Sequence, residues 1–495
     1  MGAAAPEPVA DPRSERAAGW PTVLAWVERE SLLFLISVLY VAALLVRLPY
    51  MLGADSWLTL VAGRELWEGG LPSVDALTAW SQGTAWVDQQ WLAQLGFIGL
   101  AHLGGVKLAL LGHALVLVAA FLLAVGAARK LGGTARATAL VAALALPQLA
   151  EQWQLRAQSF AYVLFVAVVV LLIADRRTGG RRVLLCLPLL VLWANLHGSV
   201  LIGAALVALL GLTLAGQRDR RGIAACLVTL PWLCVLLSPY AASLPGYYAG
   251  MLFGHDFSAL VTEWGPTTPG LLTAPFYGLA FGAVWLLARN RQAATTFEQL
   301  ALLVLLVSGL LTLRNMVWFS LAAMVVLPRL LAASFRESER IEASRAVKLG
   351  LPLAAAALAG VVAVSVATRP GSWYERGSHP DVADAVAAAA HEHAALPVMA
   401  SVESADWLLW RVPSLRGRVQ YDARLELLSK QQLLKLYRWQ NHVDDWRSIP
   451  GCRALVLVDG GEEAALVRWP DVRRLYRDHG VSLLLFDRAG CASPS

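Results

Sequence analysis

Eleven apolar stretches of this chain read as spans of a lipid bilayer, and no other feature restricts its fold as strongly. A helix crosses the hydrocarbon core with about 20 apolar residues, because lipid leaves no backbone polar group a partner outside its own helix. The stretches lie near 31–52, 106–128, 134–150, 158–174, 183–194, 198–216, 222–238, 271–289, 297–312, 315–334 and 348–367. The run 183–216 is too long for one crossing and is interrupted by Asn195, His197 and Gly198, so it reads as two spans meeting at a tight turn. Composition agrees: 57% of residues are hydrophobic and 15% charged, with a mean hydropathy of +0.57. A soluble chain carries about 25% charged residues. Disorder, collagen and a disulfide-rich secreted scaffold are excluded on the same grounds.

Charge then orients the spans. With the N-terminus inside, inner segments hold 20 Lys and Arg, and the outer ones hold five: Arg47, Arg64, Lys107, Arg156 and Arg314. Cytoplasmic segments carry the basic excess, so residues 1–30 form a cytoplasmic tail and everything after 368 lies outside an inner (plasma) membrane. The first 20 residues lack the basic-then-apolar pattern of a cleaved signal peptide, so the first span is retained. The net charge of +6 arises wholly before Arg369, since the rest of the chain holds 16 basic and 16 acidic residues. A basic excess distributed between spans reads as topology, not as nucleic acid binding. The 19 Trp fit interfacial positions, where the ring is apolar and its N–H finds a wet partner.

The expected architecture is therefore an α-helical polytopic membrane domain, 31–368, with about eleven transmembrane helices. Its long outer loop, 53–105, carries amphipathic stretches near Trp57–Trp67 and Gln89–Leu103 that suit helices lying in the outer interface. The tail 369–495 reads as a small extracytoplasmic α/β domain. Its strands are expected near Pro397–Val402, Arg418–Tyr421, Arg453–Val458 and Val481–Phe486, and its helices near 381–395, 404–411, 426–441 and 462–478. Cys186, Cys226 and Cys234 fall in spans as packing residues, whereas Cys452 and Cys491 fall in the outer domain, where a disulfide can form. His391 and His393, two apart on one helix, face different sides and read as solvated.

The polar residues that ask for an explanation sit at outer span ends and in outer loops: Asp55, Asp75, Asp88, Glu151, Arg156, Asn195, His197, His255, Asp256, Glu263 and Arg314. Outer loops are polar in any membrane protein, and Asp75 and Asp256 read most simply as solvated. Arg156 and Arg314 go against the charge rule, and arginine kept on the wrong side implies an anionic partner. Asp55, directly after the first span, and Glu263, in TEWGP, are the carboxylates best placed for chemistry. A carboxylate beside an apolar wall can act as a general base, and two together can hold a divalent cation on a phosphate leaving group. Sequence spacing does not choose between these roles.

These residues lie in a series of short motifs. Asp55 opens the loop, followed by GGLPSVD at 69–75 and by Trp86, Asp88, Trp91 and Leu92; later come LRAQSFAYVLF (155–165), LWANLHGS (192–199), LSPYA (237–241), TEWGP (262–266), VESADWLLWRVP (402–413) and VQYDARLELL (419–428). In this order they resemble a largely uncharacterised bacterial branch of the GT-C glycosyltransferase superfamily, over most of the chain. The resemblance implies a sugar donor carried on polyprenyl phosphate, used at the outer face, and a first-loop acid acting as base or metal ligand, here Asp55. Ser56 follows it where many members have a second acid, and VDQQWL stands where an acid or His often precedes the Trp. The resulting expectation is a membrane glycosyltransferase acting on an extracytoplasmic glycan, lipid or protein. Asp55 and Glu263 are its catalytic candidates; Arg156, Arg314, His197, Asn195, Asp88 and Trp91 are its substrate contacts; a divalent cation is one way to use the acids. The rivals are a transporter or flippase of a lipid-linked or polar solute, and a non-catalytic membrane assembly partner. Transporters are commonly built from repeats with polar groups at mid-membrane; this sequence has no internal repeat and places its polar groups at one face, which favours the enzyme.

Overall fold

The computed structural model describes residues 20–150, 153–178, 180–254, 260–335, 344–375 and 379–487. Residues 1–19, Glu151, His255, Asp256 and Cys491 lie outside the described residues.

All eleven apolar stretches are helical. After a short α1 (Trp20–Arg29), the bundle is built from α2 (Ser31–Arg47), α4 (Trp91–Lys130), α5 (Ala135–Ala150), α6 (Gln158–Thr178), α7 (Cys186–Leu196), α8 (Val200–Leu214), α9 (Arg221–Val235), α11 (Ala274–Arg289), α12 (Thr296–Leu311), α13 (Met316–Ser334) and α14 (Arg345–Ala367), with α3 (Ala54–Gly69) and α10 (Leu244–Phe253) in the loops. Five helical segments are long and apolar enough to cross a membrane by themselves, and five shorter apolar helices accompany them. The centre is α13, 83% buried over its apolar window, whereas α14 at the periphery is 11% buried. At the top of α13, Trp318 packs against Tyr162, Phe165 and Trp193 at centroid distances of 5.2, 5.1 and 5.9 Å. At the opposite end of the bundle, buried carboxylates meet arginines: Glu298 with Arg329 at 2.5 Å, Asp175 with Arg220 at 2.8 Å, and Glu30 with Arg129 at 2.5 Å. A charge taken out of water needs such a partner.

The outer loop forms the two expected helices. The first is α3, and the second is the opening of α4, which ends where Gly104 and Gly105 leave helical geometry. Gly105 has φ +68° and ψ −175°, a conformation essentially confined to glycine. The break lets Trp91–Leu103 run in a different direction from the spanning part that starts at Val106.

The C-terminal region holds a four-stranded sheet in the order β1-β2-β4-β3, from β1 (Val398–Met399), β2 (Arg453–Asp459), β3 (Val472–Asp478) and β4 (Val481–Asp487). β1 and β2 are parallel and the other pairs antiparallel. Its helices are α15 (Gly371–Tyr374), α16 (Pro380–Glu392), α17 (Val402–Arg411), α18 (Lys430–Asn441) and α19 (Gly460–Leu466). Two expectations fail: the strand foreseen over Arg418–Tyr421 is reduced to isolated bridges from Val419 to Val398 and Thr78, because this stretch is a turn after a 3-10 helix, and a helix is cut short. The helix foreseen over 462–478 stops at Leu466, and 472–478 is β3. The cause is the turn: His479 and Gly480 both take positive φ (51° and 77°), the two-residue hairpin geometry that pairs β3 with β4.

This region packs on the outer loop. Trp57 of α3 meets Trp410 of α17 at 6.4 Å, and Arg64 donates to the carbonyls of Leu409 and Trp410 at 2.7 and 3.0 Å. The loop also lengthens the sheet beyond β1: Ala79 and Trp80 donate to the carbonyls of Val419 and Gln420 at 2.7 and 2.9 Å.

The break at Gly105 yields a test. Gly105→Ala has open space for its methyl, so its effect is conformational. It should destabilise the protein by about 1–3 kcal/mol, read as a lowered Tm in detergent. Gly99→Ala, equally unobstructed but within the helix, should be neutral or stabilising. Equal Tm values for the two variants would refute the assigned break.

Candidate active site

A cavity of about 1400 Å³ opens between the bundle end that carries α3 and the C-terminal region, lined by Asp55, Asp88, Arg156, His197, Glu263 and Arg314 among others. Six of the eight residues singled out from the sequence thus line one cavity. Three chain segments bring them there through backbone pairing. Leu155 N–H donates to the Met51 carbonyl at 2.9 Å, setting Arg156 beside the start of α3. Leu313 N–H donates to the Gly265 carbonyl at 2.9 Å, setting Arg314 beside TEWGP. Gly53 leaves room for Gln154: a Cβ there would lie 2.8 Å from its Nε2.

Arg156 joins the two carboxylates. Its Nε is 3.0 Å from Asp55 Oδ2 and its Nη1 is 2.9 Å from Glu263 Oε2, while its Nη2 donates to Gln154 Oε1 at 3.1 Å. Burial would raise the Glu263 pKa, but Arg156, with Arg314 nearby, outweighs it and holds the group below its usual range. Asp55 stays open to the cavity, its side chain 42% exposed. Ser56, at the position of the missing second acid, is fully buried: its Oγ donates to the Met51 carbonyl and accepts from Gly53 N–H, both at 3.1 Å. It is a helix cap here.

Arg314 and Arg47 differ from Arg156. Among the described residues neither has a carboxylate within ion-pair distance. Arg314 lies 4.5 Å over the Trp264 ring and reaches Gln158 Oε1 at 3.4 Å; Arg47 lies 4.6 Å over Trp153. His197 stands by them with Nδ1 accepting from Ser199 N–H at 3.0 Å. Ser199 Oγ is 2.8 Å from the same Nδ1 and accepts from Trp193 Nε1 at 3.1 Å. Burial first, then Arg314 and Arg156, push the His197 pKa down to about 3, so the ring is neutral with its proton on Nε2.

On the opposite side, Asp88 is 2% exposed, accepts from Gln94 Nε2 at 2.8 Å, and leaves its Oδ2 without a hydrogen-bond partner. Burial pushes its pKa up to about 7. Trp91 and Asn195 do not line the cavity. Trp91 Nε1 donates to Asn195 Oδ1 at 3.0 Å, and Asn195 Nδ2 donates to the carbonyls of Val191 and Leu237 at 2.9 and 2.8 Å, so the pair fastens α4 to the ends of α7 and α9.

Asp75 corrects the solvated reading. It is 1% exposed and pairs with Arg424 of VQYDARLELL at 2.8 Å, while Arg424 also holds Asp422 at 2.6 Å and lies 4.3 Å over Trp86. Burial would raise the Asp75 pKa, but the charge and hydrogen bond of Arg424, with hydrogen bonds from Leu77 N–H and the Ser81 hydroxyl, hold it below the usual range. Arg424 and Glu426 bring the C-terminal region into the cavity wall. Nothing in local sequence marks Arg424, one of 16 basic residues in a neutral tail; Arg47, by contrast, was visible as one of five outer cations. The other two, Arg64 and Lys107, bind backbone carbonyls: Leu409 and Trp410 for the first, Ala367 and Arg369 for the second.

As for a metal, the cation between Asp55 and Glu263 is the Arg156 guanidinium. The two acids do not fit a divalent ion unless Arg156 moves, and no step below uses one.

Asp88 supplies a pH test. Its proton is held to about pH 7 in the folded chain and lost near 3.8 in the unfolded chain. Between those values the folded state binds the proton more tightly, so this contribution to stability is lost as pH rises through 7. Asp88→Asn stays neutral throughout. Its Tm relative to wild type should therefore climb between pH 5 and pH 8; a constant difference would contradict the buried, unpaired carboxylate.

No protein-family model and no curated protein matches the sequence. Solved structures do match in fold. ArnT from Cupriavidus metallidurans bound to undecaprenyl phosphate superposes with a TM-score of 0.53 at 14% identity, covering 97% of this chain and 100% of that one. The apo state of the same protein gives 0.51 at 14% identity, covering 92% and 99%. ArnT is a GT-C glycosyltransferase. The membrane bundle and the C-terminal region together thus share the fold of ArnT.

Proposed function

We propose that this protein is a membrane glycosyltransferase that transfers a sugar from a polyprenyl-phosphate carrier to an acceptor at the outer face. The observation that carries the reading is the pair of cavity arginines that have no carboxylate partner among the described residues. At the other end of the bundle Arg129, Arg220 and Arg329 each meet a carboxylate, and in the cavity Arg156 meets two. Among the described residues Arg314 and Arg47 meet aromatic faces and, for Arg314, an amide. Guanidinium groups so placed suit phosphate oxygens, and an ArnT of the same fold was crystallised with undecaprenyl phosphate.

In this reading the acceptor hydroxyl attacks the anomeric carbon of the sugar. The new bond joins that carbon to the acceptor oxygen, and the bond to the phosphate oxygen breaks. Asp55 takes the acceptor proton. Arg314 and Arg47 receive the negative charge that develops on the departing polyprenyl phosphate, as donors already fixed in place before the charge forms. Arg156 fixes Asp55 against Glu263, and the Nε2–H of His197 donates to donor or acceptor. Asp88 and Glu426, on the far wall, face the acceptor. The transporter reading gains no support from this arrangement, because the polar groups meet in one cavity at one end of the bundle.

Transfer from polyprenyl-phosphate sugars to envelope acceptors tests it. Asp55→Asn should cut the rate by about 10²–10⁴-fold, the usual worth of general-base help, with folding intact. Arg314→Ala should mainly raise the apparent KM for the donor, by removing phosphate recognition. Wild-type rates in Asp55→Asn would remove Asp55 from the mechanism. A reporter active only in the periplasm, fused after Ser495, should work; activity of a cytoplasm-only reporter there would invert the topology and exclude this reaction.

A further inference from the structure

We propose a zinc site on the outer face of the C-terminal region, formed by His379, Asp381 and His479 and separate from the transfer cavity. One ligand atom from each of the three lies within 4.8 Å of the others, and none of the three lines the cavity. They come from two distant segments. His379 caps α16 and Asp381 lies in its first turn, while His479 occupies the β3–β4 hairpin loop.

Several features select this geometry. His479 takes a left-handed φ of 51°, uncommon for a residue with a side chain, and this conformation turns its ring toward α16. The rings of His379 and His479 stack with centroids 4.0 Å apart and planes 3° from parallel. His479 Nε2 is 3.0 Å from Asp381 Oδ2, and Asp478 Oδ2 lies 3.7 Å from the same nitrogen. Tyr476 donates to Asp381 Oδ2 at 2.8 Å, aimed there by a bulge between Arg474 and Tyr476. A carboxylate oriented by a neighbouring hydroxyl is the outer-layer arrangement that metal ligands commonly have.

The donor set decides the ion. Two imidazoles with one carboxylate suit zinc, whereas magnesium and calcium call for oxygen ligands throughout. Zinc holds such ligands at about 2.0–2.2 Å, which puts neighbouring ligand atoms about 3.4 Å apart in a tetrahedron. His379 is half-buried and Asp381 and His479 are exposed, so rotation of either ring about χ2, a broad torsion, is free to bring its nitrogen inward. Asp478 or water completes the shell. The bound ion would staple the start of α16 to the hairpin at the far end of the sheet from the bundle-facing edge.

The test uses the full-length protein with a tag free of histidine, stripped with chelator and titrated with zinc against a chromophoric competitor. One zinc per chain at micromolar affinity or tighter is expected, with cobalt in its place giving the strong visible absorption of a tetrahedral site. His379→Ala and His479→Ala should each weaken binding more than tenfold, and Tyr476→Phe by about tenfold. Should an alanine variant fold poorly, Asp381→Asn, which preserves shape, should give the same loss. No stoichiometric zinc in the wild type, or unchanged zinc in the double histidine variant, would overturn the site. So would displacement of zinc by millimolar magnesium. Sugar transfer is not read in any arm, so failure here leaves the transferase proposal standing, and the reverse.

Discussion

Arg156 is the interaction on which the cavity depends. Its guanidinium ties the start of α3, through Asp55, to the segment before α11, through Glu263, while its own segment is fastened to the end of the first span by the Leu155–Met51 hydrogen bond. Without it two carboxylates would face one another in a partly desolvated pocket, and like charges at that range repel strongly. With it they are balanced in place, and the remaining positive charge of this wall stands on Arg314 and Arg47. The division of labour proposed among the arginines follows: one holds the site together, and two, without a carboxylate partner among the described residues, would meet an incoming anion.

The second constraint is how the C-terminal region closes the cavity. A buried guanidinium, Arg424, reaches from that region to Asp75 of the outer loop, and Arg64 reaches from the loop to α17. Breaking a buried pair by removing one partner costs about 3–5 kcal/mol, so this contact fixes the roof of the cavity more firmly than surface pairs could. The roof supplies Arg424 and Glu426 to the wall, opposite the arginines proposed for the phosphate. A carrier lipid entering from the bundle side and an acceptor entering beneath the roof would then approach Asp55 from different directions.

Much of this was legible in the sequence because the bilayer imposes its rules on composition. The apolar helices and the two helices of the loop 53–105 follow from where apolar and polar residues fall. Asp55, Arg156, Glu263 and Arg314 could be picked out because charge is costly near a membrane and therefore placed with purpose. The sequence did not reveal partnership. Arg156 and Arg314 look alike as outer arginines, and only their surroundings separate a paired cation from an unpaired one. Asp75 looked solvated because its partner lies about 350 positions away in an unremarkable tail. Trp91 and Asn195 sit in the right motifs, yet bond to each other. The hairpin at 472–487 was hidden because VRRLYRD has no strict alternation, and the turn residue is His, not the usual Asn or Asp.

The most direct measurement is a structure of the protein in lipid nanodiscs saturated with a polyprenyl phosphate. The account predicts phosphate density within hydrogen-bonding distance of Arg314, with Arg47 on its other side and Arg156 still joining Asp55 to Glu263. Phosphate bound elsewhere on the bundle, or an empty cavity at saturating lipid, would contradict it.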